Sequence, residues 1–514
     1  MIFGRKNQRV SVSYNWNEDE YWTPISFLLK GIHYGGLSIH YVDAKWQLRV
    51  LILACQAYDY ESQHAVNLRA FTNEVLKEFD LYLDDNIFIV TDNENKMKSA
   101  FKEDVQRVGC SAHYLNKILQ HAFTINDIDC DAVQSLFKIV RSIVTKVRQC
   151  HKQSLLSSYL QNYCDTRFNG VYLMFNSFLK VYHELPTILS NEQKQIYFQI
   201  NRDNLHSLCS YLKKFCDFIE KLSCEKTPTL HLVIPYKQFL INQSIVTDDD
   251  QLLIIPLKTY IGKELPNYWI ISDVYYIATM LHPNLKSFNH TPHERYRAES
   301  ILKIEFDKCY EVEQGRLPQH NSNQRKHPPP KKSSLPVSLD DVFDLPMSPD
   351  KNENDISTKT ELERYLADET KIDKEMNVLV YWNNNQSTYP ILASIARRVL
   401  LIPATNTTIE RLFSISGNTV TNRRTRLQTS KVNQLLFIRR NLMVLRELFP
   451  PSLELMKKRK NSSASTTPMK KTKYSTVEND NDDEDACNET TTQVDYGNET
   501  FDDCGDEEND GDDC

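Results

Sequence analysis

The feature that most constrains this chain is the order of its apolar segments before residue 125. Five segments have the length and residue types of strands: RVSVSY (9–14), GLSIHYVD (36–43), KWQLRVLILAC (45–55), NIFIVT (86–91) and VGCSAH (108–113). The second and third lie so close together that only a hairpin can join them. Apolar residues at helical spacing lie between the third and the fourth. This order predicts an α/β sheet over residues 1–125, with an antiparallel meander first and crossover connections later.

The segment NIFIVT leads directly into a carboxylate, Asp92. Its apolar run is continuous, which is typical of a strand inside a sheet. An aspartate at the end of a strand commonly caps a turn or a helix. It is also what a phosphoryl-transfer site needs, because such sites gather two or three carboxylates around two divalent ions roughly 4 Å apart. Taken alone, the strand pattern favours the cap.

Composition divides the rest of the chain into four parts. Residues 126–315 are rich in Leu, Phe and Tyr and poor in Gly, which predicts an all-α domain. Residues 316–358 are rich in Pro, Ser, Asn and charge, so they are predicted to be a disordered linker. Residues 359–448 return to a helical pattern. Residues 449–514 are predicted to be a disordered tail, first basic and then acidic.

The net charge of −7 combines two oppositely charged parts. Residues 478–514 contain 17 acidic residues and no Lys or Arg, so without them the net charge changes from −7 to +10. A basic body suits a nucleic-acid partner, although a soluble protein with a solvated tail fits equally well. The clusters KKRK (457–460) and KKTK (470–473) are either a split nuclear localisation signal or ordinary solvated lysines. We expect the protein to be nuclear.

The 12 cysteines are scattered irregularly, which is typical of reduced thiols rather than of a disulfide framework. No C-x-x-C pair has a matching pair of histidines, so no zinc is predicted. Cys110 and His113 form half of such a motif, and a buried thiol beside a satisfied histidine is the simpler interpretation. The apolar runs are short and broken by charge, so no membrane partner is expected, and no secretory signal is evident.

The C-terminal block, residues 378–442, has the strongest local pattern. Tyr389-Pro390 opens a helix with one apolar stripe, and a proline ends it. Thr and Asn residues then supply N-caps for a helix that carries Glu410 on its first turns. The basic loop NRRTRL (422–427) and a last apolar helix follow. By pattern alone this block is a small helical bundle with a surface glutamate and an exposed basic loop.

Three stretches of the N-terminal half resemble, in the same order, the core of hAT-superfamily transposases: IFIVTDNENKMKSAF, GCSAHYLNKIL and CDTRFNGVYLMFNSFL. The resemblance implies a ribonuclease-H-like core interrupted by an all-α insertion domain. It also implies that Asp92 is a catalytic metal ligand and that Cys110 and His113 lie near the active site or the DNA. Arg167 belongs to the family's TRW motif, whose aromatic residue is Phe168 here.

Residues 378–442 resemble the C-terminal dimerisation region of the same family, whose helices complete the core. By this resemblance Glu410 is the third catalytic carboxylate, and with Asp92 it would hold Mg²⁺ or Mn²⁺. Four further arginines are expected near the site or the DNA: Arg411, Arg423, Arg424 and Arg426. A dimer or higher oligomer is expected through six residues: Tyr389, Pro390, Leu392, Leu400, Phe413 and Leu436.

The first catalytic carboxylate of the family stands at the end of the first strand, and this chain offers two candidates. Asn15 follows the strand but lacks the charge. Glu20 keeps the charge but adds a methylene, and Mg²⁺ demands near-ideal geometry. A displacement of about 1 Å can cost about 100-fold in rate. We predict Glu20 as the catalytic residue, with catalysis impaired, and no BED-type zinc finger is found before the core.

Three functions fit these observations. The first is a hAT-transposase-like nuclear protein that dimerises and binds DNA with impaired catalysis. The second is an active Mg-dependent transposase that hydrolyses DNA and joins the freed strand. The third is a protein-interaction module without a DNA role, which would show no salt-dependent DNA binding.

Overall fold

The computed structural model describes residues 11–16, 33–84, 87–125, 128–150, 152–164, 169–314, 360–419 and 429–449. All of them belong to the first of two compact units, and the second unit, residues 451–514, lies outside the described residues. The predicted linker, 316–358, lies outside them as well. So do five predicted site residues: Glu20, Arg167, Arg423, Arg424 and Arg426.

The described strands form a five-stranded sheet: β1 (Ser11–Trp16), β2 (Tyr34–Val42), β3 (Leu48–Ala57), β4 (Phe88–Thr91) and β5 (Gln106–Gly109). Their order in the sheet is β3-β2-β1-β4-β5. β2 pairs antiparallel with both β1 and β3, whereas β4 pairs parallel with both β1 and β5. The predicted meander and later crossovers are confirmed, and the strand before Asp92 lies inside the sheet as expected.

Helices cover both faces of this sheet. α1 (Ala65–Lys77) and α2 (Asn95–Ala100) pack in the core cluster that contains Ile89. Phe88 and Val90 point the other way, since successive strand residues alternate between faces. They join the cluster that contains α3 (Ser111–Thr124) and α4 (Asp131–Gln149). A five-stranded sheet between two helical layers therefore forms the centre of the described chain.

The region after α4 is helical, as its composition predicted. Its helices are α5 (Gly170–Lys180), α6 (Leu185–Ile188), α7 (Asn191–Tyr197), α8 (Arg202–Leu222), α9 (Val233–Gln243), α10 (Ile254–Tyr268), α11 (Asp273–Met280) and α12 (Arg295–Gln314). Within the described ranges, no helix combines the length and the apolar character needed to cross a membrane.

The fifth predicted strand is shorter than the sequence suggested. The prediction of strand through His113 is wrong, because β5 ends at Gly109 and α3 begins at Ser111. The backbone N–H of Cys110 still bonds to the Thr91 carbonyl of β4, at 2.8 Å. Its own carbonyl accepts the first helical hydrogen bond, from the N–H of Tyr114 at 3.2 Å. Cys110 therefore stands at the junction between the sheet and the helix.

Five C-terminal helices complete the structure: α13 (Glu361–Ala367), α14 (Val378–Asn385), α15 (Pro390–Val399), α16 (Thr407–Thr419) and α17 (Thr429–Leu448). The first three join the large core, where the fully buried Trp382 donates its indole N–H to the Leu281 carbonyl at 2.9 Å. α17 covers β3, an edge strand whose free backbone groups would otherwise invite pairing with another chain. Asn441 of α17 bonds to both backbone groups of Ile52, at 2.8 and 2.7 Å.

Candidate functional site

Asp92 directly follows β4 and is buried, with 5 % of its surface exposed. Its Oδ1 accepts a hydrogen bond from the backbone N–H of Glu94 at 3.1 Å, which makes an Asx turn leading into α2. Its carbonyl oxygen accepts a bond from the Thr91 hydroxyl at 2.8 Å. The turn role of a strand-end aspartate is therefore present, and the carboxylate lies at the edge of the sheet where β4 ends.

Arg107 of β5 supports this turn, and the sequence patterns did not single it out. Its Nε donates to the Thr91 hydroxyl at 2.8 Å, and its Nη2 donates to the Asp92 carbonyl oxygen. Burial lowers the pKa of Arg107 and the neighbouring acidic groups oppose this shift, yet a guanidinium stays charged at neutral pH. Arg107 therefore places a fixed positive charge beside Asp92. In the sequence, Arg107 is marked only by being a charged residue in a short strand.

Cys110 lies at the same edge as Asp92, because the parallel pairing of β4 and β5 matches Thr91 to Gly109. The thiol is fully buried, and its Sγ accepts a hydrogen bond from the backbone N–H of Asn406 at 3.4 Å. Burial raises the pKa of Cys110 to about 12. The thiol is therefore protonated at neutral pH, whereas a metal ligand would be a thiolate. Its role in this structure is to join α3 to the chain before α16.

Glu410 is brought to this edge by α16 and meets His113 of α3. The Glu410 Oε1 lies 3.6 Å from the His113 Nε2, and the two side chains are 23 % and 31 % exposed. Desolvation lowers the pKa of His113 and a hydrogen bond with Asn406 opposes the shift, so the ring is neutral at pH 7. The pair is thus a contact between a carboxylate and a neutral imidazole, open to solvent on one side.

The segment before α16 is buried and anchored on both sides. The carbonyl of Ala404 accepts a bond from the N–H of Ser111 at 2.9 Å, at the start of α3. The N–H of Ala404 donates to the Thr229 hydroxyl at 3.0 Å. Thr405 bonds to the hydroxyl of Thr407 at 2.9 Å. These contacts fix the direction of α16, and hence of Glu410, relative to the end of β5.

α16 lies against β2 at a position where only glycine fits. A Cβ on Gly36 would lie 2.6 Å from the Ile409 Cγ2 and 3.2 Å from the Phe413 Cζ. Such approaches are closer than van der Waals contact allows, so the absence of a side chain at Gly36 lets the helix sit directly on the strand. Ile409 precedes Glu410, and the carboxylate is therefore placed by this close packing.

β1 brings a third position to the same edge. Its parallel pairing with β4 matches Ser13 to Val90, and Asn15 follows Ser13 by two residues, as Asp92 follows Val90. β1 remains paired with β2 as far as Trp16, with Asn15 matched to Gly36. Among the residues that the structure describes, no group of three or more His, Cys, Asp or Glu side chains could hold a metal ion. Of the predicted carboxylates, Asp92 and Glu410 are at this edge and Glu20 lies outside the described residues.

Comparison with known proteins shows what the chain is similar to. Residues 361–442 match the hAT family C-terminal dimerisation region. The Transposable element Hobo transposase of Drosophila melanogaster is 22% identical over 74% of this chain and 63% of its own length. The Putative AC transposase of Zea mays is 24% identical over 64% of this chain and 43% of its own length. The chain is therefore similar to hAT-superfamily transposases, and it carries a match to that family's C-terminal dimerisation region.

A further relative is named for a BED-type zinc finger. The Zinc finger BED domain-containing protein RICESLEEPER 1 of Oryza sativa subsp. japonica is 22% identical over 72% of this chain and 57% of its own length. The alignments with these three relatives cover between 43% and 63% of the relatives' lengths. The match to the dimerisation region begins in α13 and ends inside α17.

Most residues that were predicted to dimerise are buried within the chain itself. Five have 8 % or less of their surface exposed: Tyr389, Leu392, Leu400, Phe413 and Leu436. Pro390 is exposed at the first turn of α15. The buried side chains belong to the protein's own core, so in this structure they hold the C-terminal helices on the sheet. An apolar stripe in a sequence shows that a face is covered but not which chain covers it.

Arg411, predicted to lie near the DNA, is paired with an acidic residue of the helical region. Its Nη1 lies 3.0 Å from Glu225, and the Nη2 of Arg440 lies 3.1 Å from the same carboxylate. Glu225 follows α8, so one carboxylate connects the helical region to both α16 and α17. Sequence patterns missed Glu225 because it is separated from Arg411 by 186 positions.

Proposed function

We propose that this hAT chain is a self-associating, DNA-binding nuclear protein with a ribonuclease-H-like core in which Asn15 replaces the first catalytic carboxylate. The strand order β3-β2-β1-β4-β5 supports such a core. In the ribonuclease-H-like arrangement, the first carboxylate comes from the first strand and the second from the fourth. These strands are neighbours here, and Asp92 follows the fourth.

The observation that supports this proposal is the parallel register between β1 and β4, which pairs Ser13 with Val90; continued for two residues, it would bring Asn15 level with Asp92. An amide oxygen carries no full charge, whereas Mg²⁺ sites for phosphoryl transfer rely on carboxylates. Replacing one of three carboxylates by an amide removes a third of the ligand charge. Weak metal binding and impaired catalysis follow from that loss.

Asp92 and Glu410 are the residues that would hold Mg²⁺ or Mn²⁺. A bound ion of this kind supplies Lewis-acid polarisation of a phosphoryl oxygen and activates a water molecule. The donor set fits a weak site, because Asp92 Oδ1 already accepts the N–H of Glu94. Arg107 adds a positive charge beside the turn, which attracts phosphate and opposes a cation.

Charge and relatives support the DNA and nuclear parts of the proposal. The chain without residues 478–514 has a net charge of +10, and basic clusters lie at 457–460 and 470–473. Relatives named as transposases or as a zinc finger BED domain-containing protein match this chain. The match to the dimerisation region supports self-association.

Calorimetric titration with Mn²⁺ tests the metal site. We expect weak binding to the wild type and binding at least about ten-fold tighter to Asn15→Asp, since affinity rises with ligand charge. Asp92→Asn in the Asn15→Asp background should abolish the gain, because it removes the partner carboxylate. Glu20→Gln is the matched control and should leave wild-type binding unchanged.

Two outcomes would overturn parts of this proposal. Tight wild-type binding that Glu20→Gln abolishes would show that Glu20 completes the site, and would favour an active transposase. An affinity for duplex DNA that does not fall with rising salt would remove the DNA part, since phosphate contacts release counterions.

A further inference from the structure

The last helix, α17, has an apolar stripe on its outer face. Leu435, Ile438, Leu442 and Leu445 of the helix form it together with Phe449, which directly follows the helix. Their spacing alternates between three and four positions, which is the a and d pattern of a coiled-coil heptad. At about 100° per residue they lie within a sector of about 80°. Four of them are 38 % to 57 % exposed, namely Leu435, Ile438, Leu442 and Phe449. We call these five residues the α17 seam.

The opposite face of α17 is already occupied by the sheet. Val432 and Leu436 are buried in the cluster that contains Ile52 of β3. Asn433 accepts the N–H of Cys55 at 2.9 Å, and Asn441 bonds to Ile52. The helix is thus held rigidly by one side while the α17 seam faces outward. Leu and Ile residues arranged in this way on a surface helix are typical of an interaction surface.

We infer that the α17 seam packs in parallel against the same seam of a second copy of this chain. This inference rests on the self-association in the proposed function and names the surface that performs it. The matched dimerisation region, 361–442, includes Leu435, Ile438 and Leu442. Five of the six residues first expected to dimerise are buried in the chain's own core, whereas the exposed seam is a part of this region that is open to a partner.

The charges beside the seam favour the parallel orientation. With Leu435 at an a position, Arg439 and Arg446 take the e positions, and Gln434 and Asn441 take g positions. An antiparallel pair would set Arg439 close to the partner's Arg446 and create repulsion. A parallel pair keeps the arginines apart, because e contacts g in that arrangement; Arg439 then lies beside the partner's Gln434, while Asn441 stays turned to β3. A two-fold axis parallel to α17 then relates the two copies.

Residues 451–514 of the same chain are a poorer occupant for the seam. Pro450 and Pro451 end the helical pattern immediately after Phe449. The segment that follows is dominated by Lys, Ser, Thr and then Asp and Glu, and it has no apolar residues repeated at three and four positions over a comparable length. A seam of five side chains on each copy is small compared with the roughly 1,000 Å² of a stable interface, so the dimer is expected to be concentration-dependent.

Sedimentation velocity over about a hundred-fold range of concentration tests the inference. The variant is Ile438→Lys with Leu442→Lys, and the matched control is Met443→Lys. Met443 is 67 % exposed on the same helix but lies outside the seam. We expect the seam variant to raise the dimer Kd on the order of 100-fold. The control should change it by less than about three-fold.

The outcomes separate this inference from the proposed function. A dimeric wild type with a dimeric seam variant overturns the seam and leaves self-association standing. A wild type that stays monomeric throughout overturns both. Circular dichroism verifies folding, and the milder Ile438→Ser replaces the lysine variant if helix content falls.

Disulfide trapping tests the orientation. In a parallel pair, Leu435 faces its own counterpart, so Leu435→Cys should form an intermolecular disulfide under copper phenanthroline oxidation. Met443→Cys, outside the seam, measures the background together with the native thiols. A crosslink that needs a mixture of Leu435→Cys and Phe449→Cys proteins would overturn the parallel arrangement, because antiparallel seams pair these two positions.

Discussion

The two halves of the candidate site are held in place by different kinds of contact. Asp92 is held by hydrogen bonds to residues close to it in sequence, among them Arg107 at 15 positions. Glu410 depends on partners from distant parts of the chain. Its preceding segment bonds to Thr229, 175 positions away, and the neighbouring α17 bonds to Ile52, 389 positions from Asn441. The Asp92 half of the site is held by local contacts, whereas the Glu410 half depends on contacts between distant parts of the chain.

This difference teaches where the site is vulnerable. The turn at Asp92 can form wherever β4 and β5 pair, since its hydrogen bonds come from those strands and the loop between them. Glu410 reaches the same edge only when α16 and α17 are seated on the sheet. Loss of a distant contact therefore separates the two carboxylates without altering either of them.

The largest effect is expected from Asn441→Ala. Asn441 is 1 % exposed and satisfies the N–H and the C=O of Ile52. Its loss leaves two buried backbone groups without partners, at about 1–3 kcal/mol each. We expect the free energy of unfolding, measured in urea, to fall by about 2–5 kcal/mol. Increased protease cleavage within α17 should accompany this loss.

Asn93→Ala provides the local comparison for that variant. Asn93 is half-buried; it donates a hydrogen bond to the Cys110 carbonyl at 2.9 Å, and its Oδ1 accepts a long bond from the Arg107 Nη2 at 3.4 Å. Because both bonds are partly buried and the second is long, the expected loss is about 1 kcal/mol. Equal losses for the two variants would contradict the distinction between a local and an assembled half.

Sequence patterns predicted the local half well and the assembled half poorly. The apolar runs set the strand order, and Asp92 was found because a strand-end carboxylate has a local signature. The contacts of Thr229, Glu225 and Asn441 carry no such signature, since each is an ordinary polar residue whose partner lies more than 170 positions away. The apolar stripes of the C-terminal helices were recognised in the sequence and were expected to contact a second chain. In the structure most of their residues pack against the chain's own core.

A smaller effect is expected from acid, through a histidine beside the assembled half. His40 of β2 is 2 % exposed, and burial lowers its pKa to about 4 while the nearby Glu225 opposes the shift. An unfolded histidine titrates near 6.5. Below that pH His40 is protonated in the unfolded chain but stays neutral in the folded chain. The free energy of unfolding therefore decreases as the pH falls from about 6.5 towards 4. His40 alone should account for about 2 kcal/mol at pH 5.

Urea unfolding of His40→Gln at pH 7 and pH 5 measures this contribution. The decrease in stability between the two pH values should shrink by about 2 kcal/mol relative to the wild type. His64→Gln, at an exposed histidine before α1, is the control and should leave the decrease unchanged. The same decrease in all three proteins would place the acid sensitivity elsewhere in the fold.

The smallest effect on stability, below about 1 kcal/mol, is expected from Glu225→Gln, because its ion pairs with Arg411 and Arg440 are partly exposed.

The same substitution should have a clearer effect on DNA binding than on stability. Freeing Arg411 beside Glu410 adds a phosphate contact, which should raise DNA affinity by about two- to five-fold at low salt and steepen the salt slope by about one unit. Glu220→Gln removes the same charge from a carboxylate that contacts Cys216 instead. If both variants strengthen DNA binding equally, the change in net charge explains the gain and Arg411 is not a DNA contact. If only Glu225→Gln strengthens it, the ion pairs that join Glu225 to α16 and α17 also cover part of the DNA-binding surface.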